Sequence, residues 1–199
     1  MQNRIVIGIL LAVVTASLAL NGFLVVRVAQ LEKISAPVKA QQAREARQKA
    51  LHEKFAQKMS QDQAQHTPEQ LRDAETLYQV ANRKWGTPEA AESLQKMIQK
   101  YPDLDRTGCA LLYVAQMSKG EERAKYLQDC IEEYNDCFYG DGVQVGVYAR
   151  YLLAEDLRHS GESAKADALF GEIKSKYPGA IDHGGNLLVE MIKGNKRLE

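Results

Sequence analysis

The residues able to do chemistry in this 199-residue chain are few: four histidines, three cysteines and two glycine-rich acidic turns. His52, His66, His159 and His183 have no partner at metal-ligand spacing, so no metal site is expected. Asp182-His183 has the residue types of an acid–base pair, but no motif supplies a nucleophile beside it. Gly140-Asp141-Gly142 lacks the following Gly-Lys-Ser/Thr of a phosphate-cradling loop and reads as a turn, or as the lip of a groove. Cys130 falls on an apolar helical stripe and reads as a small buried hydrophobe. An oxidising compartment would permit a disulfide among Cys109, Cys130 and Cys137. The expectation is a protein with no catalytic residues, no cofactor and no enzymatic role.

The charge pattern points elsewhere. Lys and Arg balance Asp and Glu at 26 each, yet residues 1–58 hold nine basic and three acidic side chains, a net +6, and the remainder carries −6. Such a split marks a segment with its own electrostatic role beside a globular domain. After a short tail, residues 1–4, Ile5 to Val26 is a charge-free run of 22 residues. As a helix it would be roughly 33 Å long, matching a hydrocarbon core of about 30 Å. A cleaved signal peptide is the competing reading, with Arg4 as its positive start and Ser17-Leu18-Ala19 as a cleavage site. The apolar run continues through Val26, longer than a signal peptide needs, and favours an uncleaved transmembrane anchor. Arg27, Lys33 and Lys39 follow the run closely, which by the positive-inside rule alone puts the rest in the cytoplasm.

Residues 27–66 are rich in Gln, Ala, Lys and Arg, good helix formers, and predict a largely exposed helical stalk over Val38 to Gln65. Its apolar marks are too thin for a sustained heptad, so a coiled coil is allowed but not demanded. The basic side chains can lie near anionic lipid. Nucleic acid is not an expected partner, because Phe55 is the only aromatic there to stack on a base.

Residues 67–199 contain one phrase three times: LQKMIQKYPD at 94–103, LQDCIEEYND at 127–136 and FGEIKSKYPG at 170–179. Leu94, Met97, Ile98 and Tyr101 fall at i, i+3, i+4 and i+7, as do Leu127, Cys130, Ile131 and Tyr134, and Phe170, Ile173 and Tyr177 keep the register. Thr67-Pro68 and Thr87-Pro88 are helix starts, and Ser118 with Glu121 is a looser one. The chain therefore predicts antiparallel helix pairs whose second helices carry the phrases, with a last helix over Asn186 to Leu198. The spacing is 33 and then 43 residues, and the extra ten fall in Cys137 to Gly146, read as a glycine-rich loop.

This pattern resembles the tetratricopeptide repeat over residues 68–179. Leu153, Ala154, Leu157, Ala166, Phe170 and Pro178 match well, and Leu77, Tyr78, Ala81, Ala90, Leu94 and Pro102 match moderately. The middle unit departs, with Arg123 at a small-residue position and Asn135 in place of proline. The resemblance implies an all-α fold of about three stacked hairpins with a C-terminal capping helix. It also implies a concave surface for a protein partner, lined by first-helix residues: Gln79, Asn82, Arg83, Gln116, Tyr148, Arg150, Tyr151 and Arg158. By analogy with anchored bacterial proteins of this kind, it implies a role in envelope assembly, secretion or maturation at the inner membrane, with the domain leaning to the extracytoplasmic side. The alternative is a self-associating, homo-oligomeric membrane component without a peptide groove.

Overall fold

The computed structural model of the chain describes residues 38–195, with side chains as far as Lys193. The predicted anchor, 5–26, lies outside the described residues. Among the described residues no helix is long and apolar enough to cross a membrane. They form eight α-helices and no strand. Helix α1 spans 38–65, followed by α2 (Pro68–Arg83), α3 (Pro88–Lys100), α4 (Asp105–Met117), α5 (Gly120–Glu132), α6 (Val145–His159), α7 (Ser163–Lys176) and α8 (Leu188–Asn195). The chain divides into a unit ending at Glu45 and one running from Ala46.

From α2 to α8 each helix packs on the next. The expected starts of α2 and α3 form for the expected reason. Thr67 and Gln70 make both bonds of a capping box, at 3.3 and 2.8 Å, and Thr87 Oγ1 accepts from the Ala90 N–H. The Ser118 start does not hold. Ser118 ends α4, its N–H bonding the Val114 carbonyl, and α5 begins after Lys119 without a side-chain cap.

The repeated stripes are the core. Leu94, Met97, Leu127, Cys130, Phe170 and Ile173 are each no more than 1% exposed. Ala90 and Ala166 are buried at the close approach of second helix to first. Arg123, at the same register, takes a different role: its Nε donates to Asp156 Oδ2 of α6 at 2.5 Å and its guanidinium reaches the Ala115 carbonyl of α4. The large side chain is accommodated because it bridges two hairpins.

The tyrosines that end the stripes tie successive units together. Tyr134 OH donates to the Pro102 carbonyl at 3.0 Å, and Tyr177 OH donates to Asn135 Oδ1 at 3.4 Å, so each reaches the residue after the preceding tyrosine. Tyr134→Phe removes one such rung and is expected to cost about 0.5–1.5 kcal/mol in denaturant unfolding. Tyr126→Phe, whose hydroxyl meets Glu122 at 3.5 Å at an exposed site and also bonds Gln95 of α3, should change stability less, because water replaces those partners.

The ten extra residues are not an isolated insertion. Tyr139 N–H bonds the Val143 carbonyl, Gly142 N–H the Tyr139 carbonyl and Val145 N–H the Cys137 carbonyl, at 2.9 Å each. The same three bonds recur 43 residues later, Asp182 to Asn186, Gly185 to Asp182 and Leu188 to Ala180, at 2.9–3.0 Å. Each loop is a miniature hairpin closed by a glycine with positive φ, Gly142 at +91° and Gly185 at +75°. The last two units are thus helix–helix–hairpin repeats of 43 residues. The second hairpin also holds Asn186, through Asp182, so the last helix starts at Leu188 rather than Asn186.

Candidate protein-interaction face

The first helices α2, α4 and α6, the turn after α2, the two hairpins and, at one end, α7 carry a continuous lane of rings. Trp85 meets Tyr113 edge-on, with centroids 5.0 Å apart. Tyr113 stacks on Tyr78 at 5.3 Å and approaches Tyr139 at 5.8 Å. Tyr139 meets His183 at 4.8 Å, His183 meets Tyr148 at 5.3 Å, and Tyr148 leads through Tyr151 to Phe170. The lane changes depth along its course. Tyr78, Tyr139, Tyr151 and Phe170 are buried, Tyr113 and Tyr148 are half-buried, and Trp85 is 50% exposed. A half-exposed tryptophan held by packed rings is preorganised apolar surface, the kind that contributes most when a partner covers it.

Of the residues expected at the groove, Gln79 and Asn82 stand in one polar chain beside this lane. Gln79 Nε2 donates to Glu75 at 2.6 Å, Asn82 Nδ2 donates to Gln79 Oε1 at 3.2 Å, and Tyr113 OH donates to Asn82 Oδ1 at 3.2 Å. Arg83 is exposed next to them. Tyr148 faces His183. Gln116 is half-buried on α4, and its Nε2 has no hydrogen-bond partner.

The other three are turned to packing. Arg150 is 9% exposed and Tyr151 7%. Arg150 donates to Asn135 Oδ1 at 2.6 Å, to the Gly146 carbonyl at 2.9 Å and to Glu172 at 3.2 Å, with its guanidinium over the Tyr177 ring. Arg158 lies over Phe170 at 4.4 Å and pairs with Glu155. These side chains hold α6 against α7 and the preceding hairpin.

His183 does pair with an aspartate, but with Asp141 of the other hairpin, at 2.7 Å, not with its neighbour Asp182. Burial pushes the Asp141 carboxyl up, but the bonds from His183 and the Val143 N–H outweigh it and leave the group below the usual carboxylate range. The His183 ring stands edge-on to Tyr139 and Tyr148, and Tyr139 OH donates to the Cys109 carbonyl. The pair joins the two hairpins. Cys109, Cys130 and Cys137 are free thiols, and burial pushes all three up, away from the thiolate. Among the described residues no cluster of His, Cys, Asp and Glu could hold a metal ion.

The sequence reading assigns His183 only to a pairing with Asp182 and does not place Trp85 or Tyr113 on this face. The available signal was the single tryptophan of the chain, set in a tight turn where no core needs it. Comparison with protein-family models, with curated proteins and with solved structures found no match.

Proposed function

We propose that the chain is a membrane-anchored scaffold of tetratricopeptide-like hairpins that holds a protein partner on its first-helix face. The anchor is the apolar run 5–26, the basic stalk lies along anionic lipid, and the site is the bacterial inner membrane with the domain on the extracytoplasmic side. The scaffold serves envelope assembly, secretion or maturation and performs no chemistry of its own. One observation carries the reading: an aromatic lane along the first helices ends in a half-exposed Trp85 flanked by Asn82 and Arg83. Stacked hairpins supply such a face without any catalytic group, and burying an aromatic anchor contributes a large share of binding energy.

The test uses the full detergent-solubilised chain, crosslinked in cells of its source and purified beside a Trp85→Ala, Arg83→Ala variant. One specific protein should be recovered with the wild type and fall at least tenfold with the variant, at unchanged helicity and melting temperature. Equal recovery with both, or crosslinks only to further copies of the same chain, would replace the scaffold with a self-associating component.

A further inference from the structure

The C-terminal part of α1 is not a bare stalk. Leu51 packs on Gly142, where an added Cβ would come within 2.6 Å of the Leu51 Cβ, and Phe55 lies over Gly140. His52 Nδ1 meets the Gly140 carbonyl at 3.0 Å and Lys54 stands over the Phe138 ring. One turn before the end of α1, Asp62 accepts the Asp105 N–H at 3.2 and 3.4 Å. It provides the cap that α4 lacks, because the N-cap residue is Leu104. The Asp105 carboxylate in turn accepts the Phe138 N–H at 3.1 and 3.3 Å. Two carboxylates thus link α1, α4 and the first hairpin in series.

Both carboxylates are buried, Asp62 at 6% exposure and Asp105 at 4%, and among the described residues neither is in a salt bridge. The charged and titratable groups around them are Lys58 on α1, His66 and Asp103 in the flanking turns, Cys109 on α4 and Cys137 in the hairpin. His66 is turned to Asp103, at 3.3 Å. Two like charges in a dry junction repel and lose hydration, and a single proton relieves both costs. We propose that the Asp62–Asp105 junction makes α1 a pH-operated latch: a proton on the pair closes α1 onto the hairpin and α4, and loss of that proton loosens it.

The titration has the matching sign. Burial pushes Asp105 up to about 6, with Asp62 adding to the rise against the Phe138 N–H, and burial pushes Asp62 up as well. A carboxyl raised in the closed state binds its proton more tightly there, so closure is favoured at low pH and is lost as the pH rises through 6. Relative to an undocked carboxyl near 3.9, the closing equilibrium should fall about tenfold between pH 5 and pH 7.5.

Hydrogen exchange of the full chain in detergent reads this directly. After correction for intrinsic rates, amide protection over 46–65 should be about tenfold higher at pH 5 than at pH 7.5, while α6 and α7 in the same sample stay within twofold. Asp105→Asn, which keeps the size and an acceptor, should hold α1 equally protected at both pH values, and Asp62→Asn should reduce the step if the first variant does not fold. A His52→Gln, His66→Gln variant should retain the step. Protection of α1 that does not change with pH, a step that survives both aspartate variants, or one that vanishes with the histidines would overturn the latch.

Discussion

Phe170→Ala is expected to lower the unfolding free energy by about 3–5 kcal/mol, the largest effect of any single truncation in the third hairpin. Phe170 is 1% exposed and fills the space between α6 and α7 at the register where the other units place Leu94 and Leu127. Its ring touches Tyr151 at 6.1 Å and carries the Arg158 guanidinium at 4.4 Å. Truncation forfeits the burial of the ring, leaves a cavity that two helices cannot close without moving, and removes the platform under a cation. Because stacked units share their interfaces, the loss should appear as earlier melting of α6 to α8 before α2 to α4. Denaturant titration gives the magnitude and hydrogen exchange gives the order. Uniform loss of protection across all the hairpins would show a single cooperative block instead.

Arg150→Ala is expected to cost about 2–3 kcal/mol, and Arg150→Lys nearly as much. The guanidinium joins three parts of the chain at once, Asn135 after the second phrase, the Gly146 carbonyl at the start of α6, and Glu172 on α7. Removing it deletes two hydrogen bonds at a part-buried site and leaves Asn135 Oδ1 with the Tyr177 hydroxyl alone. Glu172 is about two-fifths exposed, so water partly replaces the lost charge and the cost falls below that of breaking a fully buried pair. Lysine restores the charge but not the planar fork that reaches separate acceptors. Thermal unfolding of the two variants beside Arg158→Ala checks this; an Arg150→Lys protein as stable as the wild type would mean that charge alone matters there.

Arg150 also shows why part of the candidate interaction face was illegible in the sequence. As a polar residue on a first helix, off the packing stripe, it resembles a groove residue. Its burial depends on Asn135, fifteen residues earlier, and on Glu172, twenty-two residues later. Those partners also explain the departure from proline in the second phrase, since proline has no side chain to accept the guanidinium. Likewise Asp62 looks like one more charge on a solvated helix until α4 is seen to need a cap.

The sequence by itself determined the helices, their pairing and most of the core. Period-3.6 stripes, Thr-Pro starts and terminal aromatics are local codes, and the large and small residues of a hairpin lie within about twenty positions of each other. Only the tertiary structure decided which polar side chains stay at the surface and which hold the array together. It also decided that two distant loops are one repeated hairpin and that the end of α1 is docked rather than free. Several of those outcomes depend on contacts 15 to 88 residues apart, such as Arg150 with Asn135 and His52 with Gly140. No periodicity encodes such contacts, because they arise from the stacking angle between units and not from any one helix.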